Sequence, residues 1–148
     1  MLLSNSADIT EQKAFEDTLF RSAYYDELTE LPTRRVIEHR VNKLLAAGEE
    51  TGFALAFLDI DNFKHINDYY GHPVGDKLLV EMAKRLGLDL RDSDILSRIS
   101  GDEFMLLLNP IRDESEVAEF IHFILQRMKA PFFIDESEIF ASTSIGVS

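Results

Sequence analysis

Two acidic pairs stand where short apolar segments end. Asp59 and Asp61 flank Ile60 after Phe53-Ala-Leu-Ala-Phe-Leu58, and Asp102 and Glu103 follow Ser100-Gly101. If the two segments are neighbours, three or four carboxylates converge on one edge of a sheet. Hard cations such as Mg²⁺ want oxygen ligands and need only one or two carboxylates when a substrate brings phosphates. Two such ions could polarise an α-phosphate and lower the pKa of an attacking hydroxyl. The simpler alternative is solvated surface acid, the usual fate of an arbitrary Asp-x-Asp. A buried strand before one pair and a Gly turn before the other weigh against it.

The residues after the first pair extend the chemistry. Asp61-Asn62-Phe63-Lys64 opens a helical segment, and free N–H groups at a helix start, with Lys64, suit phosphate oxygens. Lys64 alone would read equally well as an exposed surface charge. Asn67, His72 and Asp76 punctuate the stretch that follows. Asn and Asp together match the donors and acceptors on a guanine edge. Taken singly, Asn67 and Asp76 would be helix caps and His72 a loop residue.

These side chains need elements to position them. Asp8 and Glu11 stand at capping-box spacing, and Phe15, Leu19 and Ala23 form a narrow apolar stripe on the helix after them. A second helix is expected from near Pro32, with Ile37, Val41, Leu44 and Leu45 on one face. Phe53 to Leu58 reads as a strand buried on both faces, ending at Asp59. A short helix is expected from Phe63 to Tyr70, broken by Gly71 and Pro73. A longer one carries Leu78, Leu79, Met82 and Leu86 and stops near Gly87. Ile95 to Ile99 and Glu103 to Leu108 form a hairpin through Ser100-Gly101. Val117, Phe120, Ile121, Ile124, Leu125 and Met128 mark an amphipathic helix. Phe132 to Ile134 and Ile139 to Val147 read as two strands around Asp135-Glu136. The order α-α-β-α-α-β-β-α-β-β predicts an α/β sandwich with a largely antiparallel sheet.

Composition narrows the function classes. The chain has 148 residues, which suits one core, with 45% apolar and 28% charged residues as in ordinary globular proteins. The net charge of −12 repels nucleic-acid backbones and anionic membranes. A bound cation can still invert the charge locally for one small anion. There is no cysteine, so disulfides and thiolate metal sites are excluded. The longest apolar run, Phe53 to Leu58, is far short of a membrane span, and no secretory signal opens the chain. A soluble cytoplasmic domain is the expectation.

Four motifs in order now carry a resemblance. They are Asp26-Glu-Leu28-Thr29-Glu-Leu31-Pro32-Thr-Arg34; Phe57-Leu-Asp59-Ile-Asp61-Asn-Phe63-Lys64-His-Ile-Asn67-Asp68 with Gly71-His72-Pro-Val-Gly75-Asp76; Ser100-Gly-Asp-Glu-Phe104; and Ser144-Ile-Gly-Val147. Together they resemble the GGDEF family of diguanylate cyclases over about residues 22 to 148. The resemblance implies a fold similar to the palm of nucleotidyl cyclases and polymerases. It implies condensation of two GTP molecules into cyclic di-GMP, a bacterial second messenger of signal transduction, with release of two pyrophosphates.

By position, Asp59, the Ile60 carbonyl, Asp102 and Glu103 look like ligands of Mg²⁺ or Mn²⁺, which leaves Asp61 outside the metal set. Asp102 looks like the proton acceptor for the 3′-hydroxyl. Asn67 and Asp76 match the guanine-binding positions, His72 another substrate contact, and Phe63 and Lys64 the phosphate-holding segment. Arg91-Asp-Ser-Asp94 matches an inhibitory product site, in which Arg91 and Asp94 bind cyclic di-GMP; a bidentate Arg suits that task, and a local salt bridge is the simpler reading. Each GTP supplies both a nucleophile and an α-phosphate, so the resemblance implies a homodimer with two sites face to face. Asp8-Ile-Thr-Glu-Gln-Lys13 looks like the junction after a PAS-type sensor domain. Residues 1–24 are therefore read as a linker and signalling helix, and 25–148 as the catalytic-type domain, which the family continues past Ser148 with a helix bearing basic residues and a final strand.

The sequence departs from the family pattern at three positions. Ser100 replaces the first glycine of the signature, where a side chain crowds the approach of substrate. Reduced rather than abolished function is expected from the smallest polar alternative. A catalytically weak domain that binds GTP or cyclic di-GMP and regulates an adjacent output domain is the second reading. Glu30 and Thr33 replace the usual Gly and Asn, at positions that are structural more than catalytic.

Overall fold

The computed structural model describes residue 16, residue 19, residues 21–48 and residues 52–147. The expected cap at Asp8 to Glu11, the linker before it and Phe15 lie outside these residues. Within them the elements are α1 (Arg34–Ala47), β1 (Gly52–Ile60), α2 (Phe63–Tyr70), α3 (His72–Gly87), β2 (Ile95–Ser100), β3 (Glu103–Ile111), α4 (Glu114–Arg127), β4 (Phe132–Ile134), β5 (Ser137–Ile139) and β6 (Thr143–Val147). Residues 21–24 are also helical.

Four strands form one antiparallel sheet in the order β2-β3-β1-β6, and β4 and β5 form a separate hairpin. Period-two alternation sends Ala54, Ala56, Leu58 and Ile60 to one face of β1. There they meet Leu78, Leu79, Met82 and Leu86 of α3 and Ile124 of α4. The opposite face places Phe53 and Leu55 beside Met105, Leu107 and Ile37 of α1. Helices on both faces of an antiparallel sheet make the expected α/β sandwich.

Two expectations need correction. β1 is not buried on both faces throughout, because Phe57 is 41% exposed and lies outside the cluster beneath α1. Ile139 to Val147 is not one strand. β5 stays with β4, residues 140–142 cross over, and β6 pairs with β1. The crossover is held because the Asp61 N–H donates to the Ser142 carbonyl at 2.9 Å, a bond that starts the second pairing afresh.

The turn before α1 shows what the Glu30 departure does. Asp26 N–H donates to the Leu31 carbonyl at 2.7 Å and Glu30 N–H to the Asp26 carbonyl at 2.9 Å, closing a tight loop. Glu30 sits there at φ 62, a left-handed conformation that glycine adopts without a Cβ clash. Asp26 organises the same loop by accepting the Thr29 N–H at 2.9 Å and hydroxyl at 2.8 Å.

Candidate functional site

Asp59 and Asp102 come together because β1 and β3 are adjacent. Asp59 is the penultimate residue of β1 and faces Glu103, the first of β3, in register. Asp102 lies in the turn just before, and its carbonyl accepts the Ile60 N–H at 3.3 Å. The two aspartate carboxyls lie side by side at this edge. Hydrogen bonding with Asp102, then desolvation, then repulsion from Asp102 and Asp61, raises Asp59 above its ordinary value of 3.8. Two carboxylates this close cannot both ionise cheaply without a cation or a shared proton.

Glu103 takes another direction. The Ser100 hydroxyl donates to Glu103 Oε2 at 3.4 Å. Among the described residues no three acidic or histidine side chains gather into a ready metal cage. The arrangement is a carboxylate pair with a third acid alongside.

Asp61 belongs to the framework. Its Oδ1 accepts the Ser144 hydroxyl at 2.6 Å and its Oδ2 the Ser142 hydroxyl at 2.9 Å. Neither serine stands out in the sequence as an acid's partner. The clue is the alternation at the entry to β6, where polar Ser142 and Ser144 are exposed and Thr143 is buried.

The chain then turns sharply into α2. Asn62 stands at the helix cap with φ 58, a conformation asparagine tolerates, and its side chain makes no capping bond. The first-turn N–H groups of α2 are thus left without a side-chain cap. Phe63 is half-buried against the core and Lys64 is exposed.

Asn67 and Gly75 fit each other closely. A Cβ on Gly75 would lie 1.8 Å from Asn67 Oδ1 and 3.4 Å from Phe63 Cζ. Any side chain at position 75 would therefore push the Asn67 amide out of its place. Asn67 Oδ1 is buried with no hydrogen-bond partner, a costly state that a ligand donor would relieve. His72 and Asp76 are exposed in the first turns of α3. Asp76 lines a depression of about 150 Å³ with Leu28, Lys77, Val80 and Glu81.

Arg98 is a residue that the motif reading passes over. Its Nε donates to the Gly101 carbonyl at 3.0 Å, and its Nη1 to Asp26 Oδ2 at 3.1 Å and Oδ1 at 3.3 Å. Burial pushes the Asp26 carboxyl up, but the Thr29 bonds and Arg98 outweigh it and hold Asp26 below its ordinary value. The available signal is one charge inside the apolar stretch Ile95 to Ile99.

Arg91 and Asp94 lie away from the carboxylate pair and engage each other. Arg91 Nε reaches Asp94 Oδ2 at 3.2 Å and its Nη2 reaches Oδ1 at 3.1 Å. The buried Asp94 carboxylate also accepts the N–H groups of Arg91 and Asn109, at 2.9 and 3.2 Å. Bonding to Asp94 raises the Arg91 guanidinium pKa further.

Comparison with known proteins identifies the architecture. The family described as "Diguanylate cyclase, GGDEF domain" matches residues 23–148. The bifunctional diguanylate cyclase/cyclic di-GMP phosphodiesterase MucR of Pseudomonas aeruginosa is 36% identical over 132 residues, which is 88% of this chain and 19% of MucR. A structure of TpbB from the same organism, comprising only its GGDEF domain, superposes with a TM-score of 0.80 at 38% identity, covering 84% of this chain and 74% of that one. The coiled coil and GGDEF domain of DgcB from Caulobacter crescentus, in complex with c-di-GMP, gives 0.79 at 26% identity, covering 99% and 79%. The chain spans about a fifth of MucR's length. With the carboxylate pair, the Asn67–Gly75 fit and the fold in agreement, the chain belongs to the GGDEF-domain family of diguanylate cyclases.

Proposed function

We propose that this chain is a diguanylate cyclase domain, condensing two GTP molecules into cyclic di-GMP and two pyrophosphates. The observation that carries the reading is the juxtaposition of Asp59 and Asp102 at one edge of the sheet, where β1 and β3 pair, beside the uncapped start of α2. Two abutting carboxylates fit a hard divalent cation such as Mg²⁺ or Mn²⁺. Asp59, the Ile60 carbonyl, Asp102 and Glu103 would hold it, and when bound it neutralises phosphate charge and makes the 3′-hydroxyl more acidic.

The chain's own residues then divide the work. Asn67, whose buried Oδ1 lacks a partner, and Asp76 recognise the guanine edge, with His72 as a further substrate contact. Phe63, Lys64 and the first N–H groups of α2 hold phosphate. Asp102 takes the proton of the 3′-hydroxyl as its oxygen bonds to the α-phosphorus of the other GTP. The α–β phosphoanhydride bond breaks and pyrophosphate leaves. The same step in the opposite direction closes the ring. Each domain supplies one GTP, so two domains meet face to face as a homodimer, and orientation is a large part of the catalysis. The reaction runs in the cytoplasm, where GTP is found, under a PAS-like sensor of the parent protein joined through the linker of residues 1–24.

A second reading is favoured by one observation. Ser100 engages Glu103, which suits a weakened domain that binds GTP or cyclic di-GMP and regulates a neighbour. Arg91 and Asp94 are proposed as the product site in either case; Arg91, 49% exposed along its side chain, offers its outer edge while Asp94 anchors it. Incubation with GTP and Mg²⁺, followed by chromatography of the nucleotides, separates the readings. The cyclase reading predicts cyclic di-GMP from the wild type and none from Asp102→Asn. Binding of GTP without product from a dimeric preparation would support the regulatory reading and contradict the first.

A further inference from the structure

Asp61 stands between residues assigned to the cation and a segment assigned to phosphate, yet its carboxylate is occupied elsewhere. Asp59 pairs with Ser144 and Ile60 with Thr143, so Asp59 and Ser144 share one face of the sheet just before the corner. At the corner Asp61 accepts one hydroxyl on each oxygen, from Ser144 at 2.6 Å and Ser142 at 2.9 Å. Its own N–H donates to the Ser142 carbonyl at 2.9 Å. Three bonds thus join a single corner residue to the chain entering β6.

The corner has few other restraints. Asn62 reverses the chain in a left-handed conformation with no side-chain cap to fix it. β6 is short and, among the described strands, pairs only with β1. A bond made here restrains both the corner and the edge strand.

We propose that Asp61 is a positioning residue: clamped by Ser142 and Ser144, it fixes the corner from which Asp59 and the Ile60 carbonyl face the cation and Phe63 and Lys64 face phosphate, without ligating metal itself. What the corner does rests on the cyclase reading; the clamp itself rests on the three bonds. A carboxylate with both oxygens engaged by hydroxyls is a poor recruit for a metal, and groups that orient ligands typically shift affinity or activity by about 10- to 100-fold when removed.

The test compares the wild type with Asp61→Ala, the pair Ser142→Ala/Ser144→Ala, and the triple variant. Hydrogen exchange of residues 60–64 is followed without ligand, and Mn²⁺ affinity is measured by calorimetry with GTP present. The clamp predicts faster exchange at 60–64 in all three variants and a loss of Mn²⁺ affinity of about tenfold. It also predicts that the triple variant is no worse than Asp61→Ala alone, because one unit has been removed. Loss of Mn²⁺ affinity in Asp61→Ala while the Ser142→Ala/Ser144→Ala variant keeps the wild-type affinity would make Asp61 a ligand and overturn the proposal. Additive effects in the triple variant would overturn it too. If Asp61→Ala does not fold, Asp61→Asn, which keeps one acceptor, takes its place in the same comparison. A wild type that makes no cyclic di-GMP counts against the cyclase reading alone, whereas unchanged exchange at 60–64 counts against the clamp alone.

Discussion

Asp59 and Asp102 illustrate how adjacency changes what an acid does. Their sequence positions mark both as acids of interest, but it is the neighbouring Asp102 carboxyl that holds Asp59 above its ordinary value. The consequence for stability follows from proton counting. Near and above pH 3.8 the folded chain holds a proton on Asp59 that the unfolded chain has released. Stability from this group is therefore greatest at low pH and is lost as pH rises through its raised range. Asp26 acts in the opposite sense, since its lowered value gives stability that is lost as pH falls. The Asp59 effect is isolated by urea unfolding of the wild type and Asp59→Asn without divalent cation. The variant should gain relative to the wild type as pH rises from about 4 to 7, and saturating Mg²⁺ should reverse the order. A difference that is flat in pH would contradict the pairing. At this scale the sequence shows the acids but not their partners. Asp61 looks like Asp59's equal in Asp-x-Asp, and only the β1–β6 register reveals that Ser142 and Ser144 occupy it.

The elements were the most legible part of the chain. α3 declares itself through Leu78, Leu79, Met82 and Leu86 at helical spacing, and all four are buried. The β2–β3 hairpin follows from two apolar runs around Ser100-Gly101, and α2 has the expected bounds. What failed was the end of the chain, where Ile139 to Val147 has continuous strand propensity but its two halves pair in different sheets. Propensity cannot say which partner a strand takes. The turn before α1 gives an element-scale prediction. Glu30 occupies a left-handed position where the family pattern has glycine, so Glu30→Gly should stabilise the fold by about 1 kcal/mol. Denaturant titration would show the midpoint rising with an unchanged slope. A lower midpoint would mean that Glu30 makes a compensating interaction. The Arg98 bridge from Asp26 to Gly101 ties this turn to the signature loop, and no local pattern in the sequence announces a contact between positions so far apart in the chain.

Taken as a whole, the molecule is strongly acidic, with 27 acidic against 15 basic residues, and it concentrates two of those acids at the point proposed to receive a triphosphate. Electrostatics forbids that meeting unless a cation mediates it. The cation seat is thus the central claim, more basic than the identity of the base or the geometry of a dimer. It is tested most directly by titrating Mn²⁺ into the chain and following the free ion by electron paramagnetic resonance, for the wild type, Asp59→Asn and Asp102→Asn, with and without GTP. The pair as a cation seat predicts that each substitution weakens Mn²⁺ binding by about tenfold or more and that GTP strengthens it only in the wild type. Equal Mn²⁺ affinity in all three proteins, with or without GTP, would contradict the account.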